Sequence, residues 1–163
     1  MQSSLSYCPE NIVQLLELVT EVVEGTMDGT SGALYSIFLN ALTSYFRTQP
    51  TENTINVDVI FWAKALRAAM KALEKYTPAR IGDRTLVDAL QPFVDTLQNT
   101  SSLEEAAKAA LSGASDTKHM KAKLGRAVYV REDEQWVGKI PDPGAWGLTQ
   151  FLLAIADLPP AHD

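Results

Sequence analysis

The stretch Asp28-Gly29-Thr30-Ser31-Gly32 sets two hydroxyls between two glycines, directly ahead of Ala33 to Phe46, an apolar run at helical spacing. A helix start leaves backbone N–H groups unpaired and carries the positive end of the helix dipole, so hydroxyls and glycines there suit a phosphate. The same residues are accounted for if Thr30 or Ser31 caps the helix and the glycines make the turn, the commoner use of such residues. A second candidate is the basic region Asp116 to Arg131, where Lys118, Lys121, Lys123, Arg126 and Arg131 face a single acid. It reads either as a solvated face or as an anion site. Glu10, Glu17, Glu21, Glu24 and Asp28 fall mostly at helical spacing and are assigned to no metal. His119 reads as a surface residue of the basic stretch.

The elements that must position these residues are helices. Ile12, Leu15, Leu16, Val19, Val22 and Val23 form the stripe of a first helix, opened by Pro9 and closed at Gly25. A second runs from about Ser31 to Arg47, apolar over so much of its girth that it belongs inside a bundle. A polar loop, Thr48 to Asn56, leads to a third helix from about Val57 to Tyr76, whose alanines allow close neighbours. Thr85 and Asp88 have capping-box spacing for a fourth helix ending near Leu97, and Ser101 with Glu104 for a fifth ending at Gly113. Ser115 to Leu124 reads as a sixth. Arg126 to Val130 is extended or irregular, and Arg131 to Pro141 a charged loop. Asp142 as N-cap and Pro143 at the first helical position open the last helix, which Pro159-Pro160 stop. No segment has strand periodicity, so the expected fold class is all-α, an antiparallel bundle or barrel of about six to seven helices spanning 9–158, with tails at 1–8 and 159–163.

At 163 residues, 46% hydrophobic and 21% charged, the chain fits one globular domain with a real core. Its net charge of −6 argues against nucleic acid or an anionic membrane as partner. Cys8 is the only cysteine, which excludes a disulfide framework and a thiolate metal cluster and suits a reducing, cytoplasmic compartment. No basic segment precedes an apolar one at the start, so no signal peptide is expected. The uncharged run of 18 residues from Gly29 to Phe46 is too polar and too short for a bilayer helix.

The unusual residues gather at helix starts and loops. MDGTSGALYSIFL at Met27 to Leu39, GDRTLVDALQPF at Gly82 to Phe93, KAKLGRAVYV at Lys121 to Val130 and DPGAWG at Asp142 to Gly147 occur in one order. Together they resemble the nucleotide-binding domain of dihydroxyacetone kinases, related to the L subunit of the bacterial phosphotransfer system. The resemblance covers roughly Ile12 to Leu158 and implies an eight-helix barrel, here incomplete, whose loops at one end hold ATP or ADP with Mg2+. Carried over, it puts Thr30 and Ser31 on the phosphates, Leu86 beside the base and Thr77 near it through backbone, although many members have glycine at that position. Arg126 becomes a bidentate cation for a phosphate, and the turn of Asp142, Pro143 and Gly144 closes the pocket. Taken singly, Thr30, Asp142 and Pro143 are equally caps, Leu86 is core, and Arg126 could pair with Asp83 or Asp142.

The family's Gly-Asp-x-Asp magnesium motif is not found among the 28 residues before Gly29, and neither His119 nor His162 lies in a motif matching its substrate histidine. The resemblance therefore implies a nucleotide-binding part of a kinase, without catalytic residues or metal ligands of its own and inactive alone. The competing expectation is a non-catalytic helical module whose uncovered apolar face self-associates or binds a protein or apolar ligand, the absent part of a kinase included.

Overall fold

The computed structural model describes residues 11–49, 58–124 and 138–162. Those residues form six α-helices and one short 3-10 turn: α1 (Ile12–Thr26), α2 (Gly29–Arg47), α3 (Val59–Tyr76), α4 (Val87–Thr100), α5 (Leu103–Asp116), the turn Thr117–His119, and α6 (Pro143–Ile155). Among the described residues there is no strand, as the absence of two-residue periodicity predicts. Each helix packs on the next along the chain from α1 to α6, and α4 also touches α6.

The starts follow local chemistry. Asn11, Asp58 and Ser102 each accept an N–H from the third residue beyond with a side-chain oxygen, from Gln14, Phe61 and Glu105 respectively. The Thr85–Asp88 pair makes the reciprocal half of a capping box, the Asp88 carboxylate accepting the Thr85 N–H at 2.7 Å. Asp88 is 1% exposed and also accepts the Gly82 N–H at 2.6 Å, so one buried carboxylate shapes the loop ahead of α4.

Two expectations need correction. Gly113 does not end α5, which continues to Asp116. A Cβ on Gly113 would stand 2.0 Å from the Asp88 carbonyl oxygen, so the glycine is there for helix contact and not for a stop. That carbonyl lies four residues before Pro92, which has no N–H to give it. The helix expected over Ser115 to Leu124 does not form either. The Thr117 hydroxyl donates to the Ala114 carbonyl and accepts the Asp142 N–H, and after the 3-10 turn the chain leaves helical geometry at Met120. Smaller shifts are a fourth helix running on to Thr100, a last helix ending at Ile155 before the prolines, and a second helix beginning at Gly29. Pro9, most of the loop at 48–56, the segment 126–130, most of 131–141 and the first tail lie outside the described residues.

The core runs through the contacts of α2 with α3 and of α3 with α4. Leu34, Met70, Leu73, Val94 and Leu97 are each at most 2% exposed. Alanines close the helix contacts, Ala65 and Ala69 on α3 and Ala106, Ala107 and Ala110 on α5 having no exposed surface. At the C-terminal end of α2, Phe46 meets Phe61 at 5.4 Å and Trp62 at 5.1 Å between ring centroids. That aromatic cluster anchors α2 at the end opposite Ser31, roughly 22 Å along a helix rising about 1.5 Å per residue. Truncating a core side chain in this layer should be expensive. Leu73→Ala is expected to lower unfolding free energy by about 2–5 kcal/mol in a urea titration, and a loss under about 1 kcal/mol would contradict the packing described.

Candidate functional site

The N-terminal ends of α2 and α6 come together. Gly29 enters α2 with φ of 75°, a left-handed value that glycine adopts without a steric cost. Asp28 occupies the N-cap position but makes no side-chain cap bond, and neither Thr30 nor Ser31 caps. The capping role open to those hydroxyls in the sequence is therefore not what they do. The first turn of α2 keeps its positive dipole end and is not covered by a cap side chain.

Opposite it, α6 is capped by Asp142, whose carboxylate accepts the Ala145 N–H at 2.9 Å, with Pro143 at the helix start. Gly144 completes the approach. A Cβ there would stand 2.8 Å from Ser31 Oγ and 3.0 Å from Asp142 Oδ2, so a side chain at this position would displace the Ser31 hydroxyl and crowd the Asp142 carboxylate.

Between these ends lies a cleft of about 280 Å³. Thr30 and Ser31 border it from α2, and Asp142, Pro143 and Gly144 from α6. Leu86, 1% exposed, belongs to the core and also borders the cleft. Six of the eight residues singled out in the sequence, Thr30, Ser31, Leu86, Asp142, Pro143 and Gly144, thus border one cavity. Thr77 does not border it: it caps the C-terminus of α3, its hydroxyl accepting the Ala79 N–H and its carbonyl the Arg80 guanidinium. Arg126 lies outside the described residues.

Sequence reasoning missed Leu34, Arg84, Thr85 and Leu124, which also line the cleft. Leu34 and Leu124 read simply as apolar positions. Arg84 sits inside GDRT, and a cation in a breaker-rich loop was the available signal. Its guanidinium donates to the carbonyls of Met120 at 3.3 Å and Ile140 at 3.1 Å.

The loop behind Leu86 is held by Asp83, whose carboxylate accepts the Arg80 N–H and the Lys123 ammonium, each at 2.8 Å. Lys123 of the basic stretch therefore serves as a tether. The Lys123 hydrogen bond, then the Arg80 N–H, holds the Asp83 carboxyl below its ordinary range. Asp142 behaves oppositely. Burial pushes its carboxyl up, against the Ala145 and Gly144 N–H groups and the charge of Arg84, while nearby Asp88 adds to the rise. On α2 the Tyr35 hydroxyl is pushed up to about 12, by burial first and then by the charge of Asp142.

The carboxylates bordering the cleft are Asp28 and Asp142, and Asp142 is committed to its cap. Among the described residues no three His, Cys, Asp or Glu side chains stand where they could share a metal ion. Together these residues offer an apolar wall, two hydroxyls and an open helix start.

An all-helical domain with a cleft where helix starts converge is the class these features define. The chain belongs to the DAK2 domain family, whose model matches residues 2–157. It is 43% identical over 152 residues to a dihydroxyacetone kinase of Komagataella pastoris, covering 89% of this chain and 25% of that one. It is 34% identical over 158 residues to the human triokinase/FMN cyclase, covering 92% and 26%. Among solved structures, the C. freundii dihydroxyacetone kinase in complex with AMP-PNP and Mg2+ matches with a TM-score of 0.63 at 28% identity, over 90% of this chain and 23% of that chain. Its native form matches with a TM-score of 0.67 at 29% identity, over 90% and 24%. The chain spans about a quarter of the length of the curated relatives it matches. Among the described residues no helix is long and apolar enough to cross a membrane.

Asp142 gives the site a pH signature. Its carboxyl titrates higher when folded than when unfolded, so it favours the fold most below the unfolded carboxylate pKa of about 3.9, and that contribution is lost as pH rises through the folded value. Asn caps a helix about as well as Asp. Asp142→Asn should therefore be more stable than the wild type at pH 7, the gain shrinking as the pH is lowered through the acid range. Urea midpoints that fall at pH 7, or a gain that grows in acid, would contradict this assignment.

Proposed function

We propose that the chain is the nucleotide-holding helical part of a dihydroxyacetone-kinase-type phosphotransferase, with an adenine nucleotide seated in the cleft between the starts of α2 and α6. The observation that carries the reading is the meeting of Thr30, Ser31, Leu86 and Asp142 to Gly144 on one cavity beside a helix start without a side-chain cap. Ser31, Thr30 and the first N–H groups of α2 take phosphate oxygens, as the dipole favours. Leu86, with Leu34 and Leu124, offers the base an apolar wall. Arg126 adds a bidentate cation. The similar C. freundii kinase forms a complex with AMP-PNP and Mg2+, which supports a nucleotide here by kinship.

Phosphoryl transfer needs the charge on the transferring group neutralised, and in this family Mg2+ supplies that. Among the described residues Asp28 is the one cleft carboxylate without a cap bond, so we expect no transfer to dihydroxyacetone by this chain alone. A domain spanning 9–158 that binds nucleotide and leaves metal and acceptor to other protein is the form the proposal takes. Leu15, Val19 and Val22, exposed at 40% or more on one face of α1, favour packing of that face against further protein, whether a second copy or the rest of a kinase.

Calorimetric titration of ATP and ADP, with and without magnesium, tests the reading. Binding is expected in both conditions with similar affinity, weakened about tenfold in Arg126→Ala, the scale of one charged hydrogen-bond pair. No heat of binding in either condition would overturn it.

A further inference from the structure

Three described non-glycine residues have left-handed backbone: Arg84, Ser101 and Asp157. Two are explained by helix ends, since Ser101 is the C-cap of α4 and Asp157 follows that of α6. Arg84, at φ of 58°, stands in the loop before α4, where no helix is ending. A bulky residue held in that region persists only where its surroundings over-determine it, and such outliers gather at functional sites.

The Arg84 side chain shows what holds it. One terminal nitrogen donates to Met120 and the other to Ile140, 36 and 56 residues along the chain. Met120 opens the segment that carries Leu124, and Ile140 lies just before Asp142, Pro143 and Gly144, so a single guanidinium joins two of the cleft's walls to the loop bearing Leu86. Its charge also acts on Asp142. The third nitrogen, Nε, is buried and is the one buried side-chain polar atom without a hydrogen-bond partner among the described residues. An unpaired buried donor is unfavourable in itself. It remains because the fork geometry satisfies two carbonyls that a lysine, with a single ammonium, would not hold apart in the same way.

We propose that Arg84 is a positioning residue of the cleft: it fixes the spacing of the Met120–Leu124 and Ile140–Gly144 segments about Leu86, and so sets the affinity for the nucleotide. This rests on the nucleotide reading of the cleft and adds to it a residue that contributes by geometry, through the walls it joins.

The informative variant is Arg84→Gly, because glycine accepts the left-handed backbone, so the fork and its charge are removed without backbone strain. ADP affinity, by calorimetry, is expected to fall at least tenfold while the thermal midpoint stays close to the wild type, and millimolar methylguanidinium should recover part of the lost affinity. Arg84→Lys, which keeps the charge without the fork, is expected to resemble Arg84→Gly. Wild-type affinity in Arg84→Gly, or full recovery by lysine, would overturn the inference while leaving the nucleotide reading in place. Absence of ADP binding to the wild-type chain would overturn the nucleotide reading and this inference with it.

Discussion

A carboxylate has to be kept inside the protein at the place where two helices begin. Asp142 is 9% exposed, and burial works against its charge. The fold keeps it by giving it work on several sides. Its carboxylate closes the start of α6, its own N–H is taken by the Thr117 hydroxyl at 2.7 Å, and the charge of Arg84 offsets its own. Thr117 holds that position because α5 runs past Gly113 into a 3-10 turn, and α5 can lie that close to α4 because Gly113 has no side chain. The arrangement of the cleft is thus the last link of a chain of contacts that begins in helix packing.

The cleft inherits its chemical character from the same constraint. With α6 capped by its own aspartate, the free dipole end facing the cavity belongs to α2, whose N-cap Asp28 makes no side-chain bond. The approach of Ser31 to Gly144 brings the two starts into one wall, and the buried Leu86 closes the apolar side. The nucleotide proposed for the cavity rests on kinship with dihydroxyacetone kinases, and the hydroxyls, open helix start and apolar wall are compatible with it.

Much of this was legible in the residues, and what was not has a physical explanation. Apolar spacing located α1 to α4 and α6 because each buries one stripe or more, and Asp142-Pro143 marked a helix start because both residues suit one. Thr30 and Ser31 stood out at a glycine-hinged helix start, and Leu86 and Gly144 through motif order, since neither of the latter by itself distinguishes a cap or core residue from a cleft residue. Gly113 misled because a glycine at a helix stop and a glycine at a helix crossing look alike until the neighbour is known. Ser115 to Leu124 has the composition of a helix, but the Thr117 hydroxyl bonds in competition with helical geometry, and its partner Asp142 is 25 residues away. Arg84 escaped notice for a related reason: its carbonyl partners and its left-handed backbone exist only in the folded chain.

The central claim is that the starts of α2 and α6 form a nucleotide site. Amide chemical shifts followed by heteronuclear NMR during an ADP titration test it most directly. The account predicts that saturable shifts concentrate at Gly29 to Gly32, at Leu86 and its neighbours, and at Gly144 and Ala145, while the aromatic end of α2 near Phe46 stays unchanged. Shifts centred on the outer face of α1 or spread without focus, or none at all, would contradict it.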